Sequence, residues 1–299
     1  MALTIGNMMI NNVVSFLPTY MESVVWTTTV SADTLSSDIS WIISMFSVAQ
    51  IIFAPINASI KNFIGAKNTI IFGFGMLTIT TAGLGLISRI DDIDTFKYVA
   101  CTLRFFQGQG DVLLQITGYS VVTSIYSDDM MKYIGYIEIC VGLGLGMGPV
   151  IGSAVYSALE YEGTMYLFAG FNLMGTLACV CMIPSELNQT LTEEEQAEIE
   201  AEIEEEEGEI DDITIALRKK KRITLCTLFT DRFVVAALFA CFLGTFNLTF
   251  WSSWLSKYMV DNLDFNETNF GYVLGTTSVT YLIGCLLLPY TCEAMPRRL

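Results

Sequence analysis

Apolar residues run along this chain in long blocks separated by short polar turns. A bilayer core about 30 Å thick needs about twenty apolar residues in a helix, and the blocks have that length. They predict eight spans, over residues 2–21, 40–60, 69–90, 96–125, 133–158, 165–183, 233–255 and 270–290. The expected fold class is therefore an all-α membrane protein. Few polar residues interrupt the blocks, and their spacing is informative. Asn7, Asn11 and Asn12 lie in span 1, and the first two share a helix face. Arg104, Gln107, Asp111 and Gln115 fall at helical spacing in span 4 and form one stripe. Such a stripe must avoid lipid and face either a wet centre or another helix. An internal Arg104–Asp111 pair is the structural alternative; two turns apart, it would need a bridging water or a neighbouring helix. Glu138 sits about one turn into span 5, where a lone carboxylate costs roughly 2.5–3.5 kcal/mol on insertion scales. It is either functional, neutralised by Arg104, or kept near the headgroups.

Span 5 holds the densest pattern. From Glu138 the chain reads EICVGLGLGMGPVIG, with Gly144, Gly148 and Gly152 four apart along one face. Each glycine costs about 1 kcal/mol against alanine in an aqueous helix. In lipid, small residues let helix backbones touch, and close packing drives association. Pro149 lacks the N–H that closes a helical bond, so a bend is expected there. A tightly packed structural helix is the plainer reading of the same glycines.

These motifs carry a resemblance. Gly144-Leu-Gly-Met-Gly148-Pro149-Val-Ile-Gly152 resembles the antiporter motif in the fifth span of major facilitator transporters, with Ser153 where a last glycine is common. Arg104-Phe-Phe-Gln107-Gly108-Gln-Gly110-Asp111 resembles a second signature of that superfamily, and Asp111 departs from its usual small residue. The segment Lys61-Asn62-Phe63-Ile-Gly65-Ala-Lys67 resembles its cytosolic loop motif, but Asn62 and Phe63 replace the acid and the arginine of that charge latch. Glu293-Ala-Met-Pro296-Arg297-Arg298 is similar to the corresponding repeat, again incomplete. Glu138 with Gly142 to Gly152, Tyr156 and Phe168 looks most like the vesicular amine and polyamine branch. The region around Gly6-Asn7-Met8-Met9 lacks the aspartate that vesicular amine transporters place in span 1.

Charge refines this picture. The net charge of −16 comes from one loop, because residues 193–212 hold thirteen acidic and no basic residues. Without them, eighteen acidic residues face fifteen basic ones. The loop opens on Thr192-Glu-Glu-Glu195, a capping-box pattern, and closes on the basic run 218–222, suited to anionic headgroups. With the amino terminus inside, eleven Lys and Arg fall on the cytosolic side and three on the other, in line with the positive-inside bias. Asn266-Glu-Thr268 is the one glycosylation sequon placed in a non-cytosolic loop. The start carries no basic segment or cleavage site of a signal peptide. Eight cysteines are scattered with no CxxC pair, and there is no histidine. No metal site is expected, and any proton relay must use carboxylates.

A shift of 234 residues lays spans 7 and 8 on spans 1 and 2, with Pro289 on Pro55. Parallel six-span repeats are a transporter plan, on which a full chain would have about 430 residues. The expected organisation is a six-span amino-terminal bundle over 1–184, a cytosolic acidic and basic linker over 185–230, and two of six spans of a second bundle over 231–299. The resemblance implies the major facilitator fold and a secondary active transporter that exchanges protons for a small organic cation by alternating access. Asp111 and Glu138 are the candidate coupling carboxylates, with Arg104 tuning them and Gln107, Asn7 and Asn11 as further polar contacts. Gly144, Gly148, Pro149 and Gly152 are the conformational motif. The expected partners are a small-molecule solute, the proton and the lipid bilayer, with no nucleic acid and no cofactor. No enzyme activity and no catalytic residues are expected. The membrane is either vesicular or plasma membrane. A facilitator or symporter of a neutral or anionic solute bound by Arg104, and a non-transporting membrane subunit, are the alternatives.

Overall fold

The structure, a computed structural model, describes residues 2–23, 31–126 and 130–188, together with 232, 234–236, 238–244, 246, 258, 276 and 279–286. Among these residues every regular element is helical: α1 (Ala2–Ser23), α2 (Ala32–Ile64), α3 (Ala66–Leu86), α4 (Ile93–Ile125) and α5 (Met130–Met182). The chain divides into two compact units, residues 1–189 with 263–299, and residues 190–262. In the second unit the described residues include the apolar helix Val234–Gly244. The capping box at Thr192, the acidic run, the basic run and the sequon at Asn266 lie outside the described residues.

Local chemistry sets the helix starts. Ser31 caps α2 by accepting the Thr34 N–H, and Asp92 caps α4 by accepting the Thr95 N–H at 2.9 Å. The Thr95 hydroxyl at 2.5 Å and that N–H hold the Asp92 carboxyl below its ordinary range. The cap is therefore strongest above the ordinary carboxylate pKa and is lost as pH falls through the lowered value. Both helices begin earlier than the hydropathy blocks indicate, because their first turns are polar and sit outside the apolar run. Three described helices are long and apolar enough to cross a membrane: Asp33–Asn57, Ala66–Arg89 and Lys132–Met182. The amides of α1 and the charged stripe of α4 reduce hydropathy in those two helices.

Spans 5 and 6 form one helical element interrupted only at Glu160, whose φ of 58° and ψ of −170° are the non-helical values inside it. The chain keeps helical torsions through Pro149, so the break falls eleven residues beyond the proline. The pairings give the directions. Gly144 and Gly148 lie against Thr4 and Met8, and Gly152 against Asn12 and Ser15, so α1 runs parallel to the first arm of α5. Gly85 meets Met165 while Gly175 meets Phe74, so α3 is antiparallel to the second arm. Asp38 pairs with Lys97, Gln50 with Asp111 and Lys61 with Ser120, which makes α2 and α4 parallel. Gly6 touches Asp111 and Gly118 touches Leu3, so α1 and α4 are antiparallel.

Backbone contact holds these pairs. A methyl group on Gly108 would lie 2.2 Å from the Phe46 carbonyl oxygen, and one on Gly144 would lie 2.4 Å from that of Thr4. Above this level Phe16, Tyr20, Phe96, Tyr156 and Tyr161 interlock, with Tyr20 and Tyr161 stacked at 4.0 Å. At the opposite end Gly65 (φ 84°) closes α2, and Asn188 sits against it while accepting the Asn68 N–H at 3.1 Å.

Three outcomes follow for thermal unfolding in detergent. Gly144→Ala lowers the midpoint, whereas Gly75→Ala, with nothing within 4 Å of the added methyl, raises stability by about 1 kcal/mol. Glu160 occupies a backbone region that favours glycine, at a cost of about 1–3 kcal/mol, so Glu160→Gly stabilises the protein by an amount in that range.

Candidate functional site

The polar stripe of α4 faces the middle of the bundle. Arg104 is 1% exposed and Asp111 0% exposed, although both lie deep within a 33-residue helix. The Arg104 guanidinium stacks over the Phe46 ring at 4.7 Å, a face that attracts cations. Its Nη1 donates to Gln107 Oε1 at 2.6 Å. Gln107 Nε2 donates in turn to the Thr81 hydroxyl at 2.8 Å on α3, and Asn172 Nδ2 reaches the same hydroxyl at 3.4 Å from α5. The chain Arg104–Gln107–Thr81–Asn172 thus joins three helices. Among the described residues Arg104 Nε has no hydrogen-bond partner.

Asp111 is held on one side only. Its Oδ2 accepts from Gln50 Nε2 at 2.7 Å on α2 and from Gln115 Nε2 at 2.6 Å on its own helix. Among the described residues its Oδ1 has no hydrogen-bond partner, and it lies against Gly6, where a methyl group would stand 2.8 Å away. Arg104 and Asp111 share the stripe but do not bond; each is received by a glutamine. Two amide donors give a carboxylate directional bonds but no compensating charge.

The other expected contacts are placed differently. Glu138 is received by two hydroxyls rather than by Arg104: Tyr119 donates to Oε1 at 2.6 Å, and Tyr281 donates to Oε2. Asn7 is buried, but its amide donates to the Leu3 carbonyl at 2.8 Å, and its Cβ lies by Gly144. It serves the α1–α5 seam in this conformation. Asn11 lies on α1, and its side chain falls outside the described residues. Gly144, Gly148 and Gly152 form the face of α5 that α1 covers, and Pro149 is buried beside them.

Sequence reasoning missed several partners. Gln50 was detectable as a lone amide in an apolar run, but its reach to Asp111 depends on the α2–α4 register. Thr81 and Asn172 carry no signal of their own. Asn12 is fully buried, and among the described residues neither its amide nitrogen nor its amide oxygen has a hydrogen-bond partner. Leu3 by Gly118, Gly6 by Asp111 and Tyr20 by Phe96 set an antiparallel register that brings Asn12 to the height of Arg104 and Gln107. Among the described residues no group of histidine, cysteine, aspartate or glutamate is arranged to hold a metal.

A bundle of apolar helices around a buried, incompletely paired set of charged and amide groups defines a polytopic membrane protein of the transporter class. The Major Facilitator Superfamily model matches residues 1–299, so the chain belongs to that superfamily of membrane transporters. A search among curated proteins finds no match.

The bonding pattern gives a measurable contrast. Charge-assisted hydrogen bonds contribute about 1.5–3 kcal/mol, so a double-mutant cycle on Arg104→Ala and Gln107→Ala yields a coupling of that order in unfolding experiments. The cycle on Arg104 and Asp111, which share no bond, yields the smaller coupling.

Proposed function

We propose that the chain is a proton-coupled antiporter of a small organic cation, of amine or polyamine type, with Asp111 at the exchange site. The carrying observation is a fully buried carboxylate with one oxygen held by two amides and the other unclaimed by protein. An ionised carboxylate in such a place is costly unless a proton or a cation joins it. Proton and cationic solute then compete for one position, and each can drive the other out. Exchange follows when the bundle opens to opposite sides in turn. Arg104, on the same stripe, adds a fixed positive charge near the exchange site. Gln107 fixes the guanidinium, and the glycine face of α5 lets α1 shift while staying in contact. Asn7 and Asn11 are proposed as further polar contacts of span 1. The amino terminus lies in the cytosol on this reading, in a vesicular or plasma membrane.

A second reading has one observation behind it. Arg104 Nε is buried and without a partner, which favours an anionic or neutral acceptor on the solute. Uptake would then be facilitated or symported and would not require an opposing pH gradient.

Proteoliposomes carrying the chain distinguish the two when a panel of amines, polyamines and carboxylates is offered with and without an imposed pH gradient. The antiport reading predicts gradient-driven uptake of a cation and its loss, by about a hundredfold or more, in Asp111→Asn, as expected when a buried charge pair is removed. Gradient-independent uptake of a carboxylate that is lost in Arg104→Gln and kept in Asp111→Asn overturns it.

A further inference from the structure

Asn12 is an amide of α1 that the protein itself does not receive. Asn7, on the same helix, turns its amide back onto the Leu3 carbonyl at 2.8 Å. Asn12 makes no such bond, although it is 0% exposed. Among the described residues three further buried atoms lack hydrogen-bond partners around it: Arg104 Nε from α4, and the Tyr161 hydroxyl and Asn172 Oδ1 from the second arm of α5. The antiparallel register of α1 and α4 brings Asn12 to the height of Arg104. The Tyr161 ring stands edge-on to Phe16 at 6.0 Å, one turn along α1 from Asn12, and its hydroxyl acts electrostatically on the Arg104 guanidinium. Asn172 is tied to Arg104 through Thr81 and Gln107. Three helices thus bring open donors and acceptors to one charged group. Leaving such buried atoms unmade is costly, so a set of them marks a place where another molecule completes the bonding.

We propose that Asn12, Arg104 Nε, Tyr161 and Asn172 form a second solute subsite, which takes an uncharged hydrogen-bonding group, a hydroxyl or a carboxamide, at the far end of the cation held by Asp111. The inference rests on the antiport reading and narrows it, from amines and polyamines together to amines with a neutral polar end. The open atoms decide the chemistry. Asn12 Nδ2 and Arg104 Nε donate, the two asparagine oxygens accept, and the Tyr161 hydroxyl does either. A hydroxyl or a carboxamide also does both, so it can use both kinds of atom. An ammonium only donates; it leaves the amide and guanidinium N–H groups bare and meets the positive charge of Arg104. A carboxylate only accepts and leaves the two amide oxygens bare. The distance follows from α4. Seven residues separate Arg104 from Asp111, which is about 10 Å along a helix. The solute that fills both positions is therefore a monocation with its second polar group about that far from the nitrogen.

Four probes with one carbon skeleton test this: octylamine, aminooctanol, diaminooctane and aminooctanoate, whose chain spans about 10 Å when extended. Their binding to the full chain in lipid nanodiscs is measured by calorimetry, with empty discs as the reference. The subsite predicts that aminooctanol binds about tenfold more tightly than octylamine, the scale of one or two hydrogen bonds. It also predicts that aminooctanol binds more tightly than diaminooctane and aminooctanoate. Asn12→Leu and Tyr161→Phe each bring the preference for aminooctanol over octylamine towards one. Asn12→Leu does so without lowering the thermal midpoint, because no bond within the protein is lost. Asp111→Asn weakens the binding of all four probes, which reads the exchange site separately. Equal affinities for aminooctanol and octylamine, a preference kept in both variants, or tighter binding of diaminooctane or aminooctanoate overturns the subsite and leaves the exchange site standing. A lower midpoint in Asn12→Leu with the preference unchanged marks a purely structural amide and overturns it as well. Amine binding that is indifferent to Asp111→Asn overturns the exchange site and the subsite together.

Discussion

A charged or amide group inside hydrocarbon has no water to turn to, so every such side chain must be received by another part of the protein. That constraint fixes the orientation of α4. Its stripe of Arg104, Gln107, Asp111 and Gln115 cannot face lipid, and the helix places Thr102 and Phe106 outward instead. Neighbouring helices then supply what the stripe lacks: Gln50 from α2, Thr81 from α3, the Phe46 ring and the Asn172 amide. The receiving groups do not complete the set. Among the described residues, Arg104 Nε and Asp111 Oδ1 stay without hydrogen-bond partners.

The second constraint comes from the absence of a hydrophobic force between helices in lipid. Association there rests on contact, and contact requires small residues at the crossings. Gly108 against Phe46, Gly110 against Gly73 and Gly144 and Gly148 against α1 are such crossings, each bringing backbone to backbone. They also determine which polar groups can meet. The close approach of α1 at Gly6 leaves Asp111 Oδ1 against a glycine rather than a side chain that would fill its place. Packing and chemistry in this bundle are therefore two consequences of the same small residues.

Periodicity made most of this legible in the sequence. The apolar blocks gave the helices α1 to α5, the four-residue glycine repeat gave the α1-covered face of α5, and the helical spacing of the polar residues gave the stripe. What remained hidden were contacts between helices. Gln50, Thr81 and Tyr281 meet the stripe or Glu138 only through inter-helix register, which no local pattern encodes. Pro149 illustrates a different limit. A proline in a helix removes one bond, but packed neighbours can hold the torsions helical, and the reversal falls instead at Glu160, a residue type that gives no warning of a positive φ. Arg104 and Asp111, two turns apart, share no direct bond, for a related reason. Complementary charges on one helix suggest a pair, yet each found a nearer amide partner.

The central claim is that the α4 stripe borders a centre that becomes wet during the working cycle, while its opposite face stays in lipid. Single cysteines along α4, in a background without the native cysteines, test this with a membrane-impermeant thiol reagent applied from either side. The account predicts labelling at 107, 111 and 115 and none at 102 and 106, with a period near 3.6 residues. Labelling confined to 102 and 106, or none along the helix from either side, would contradict it.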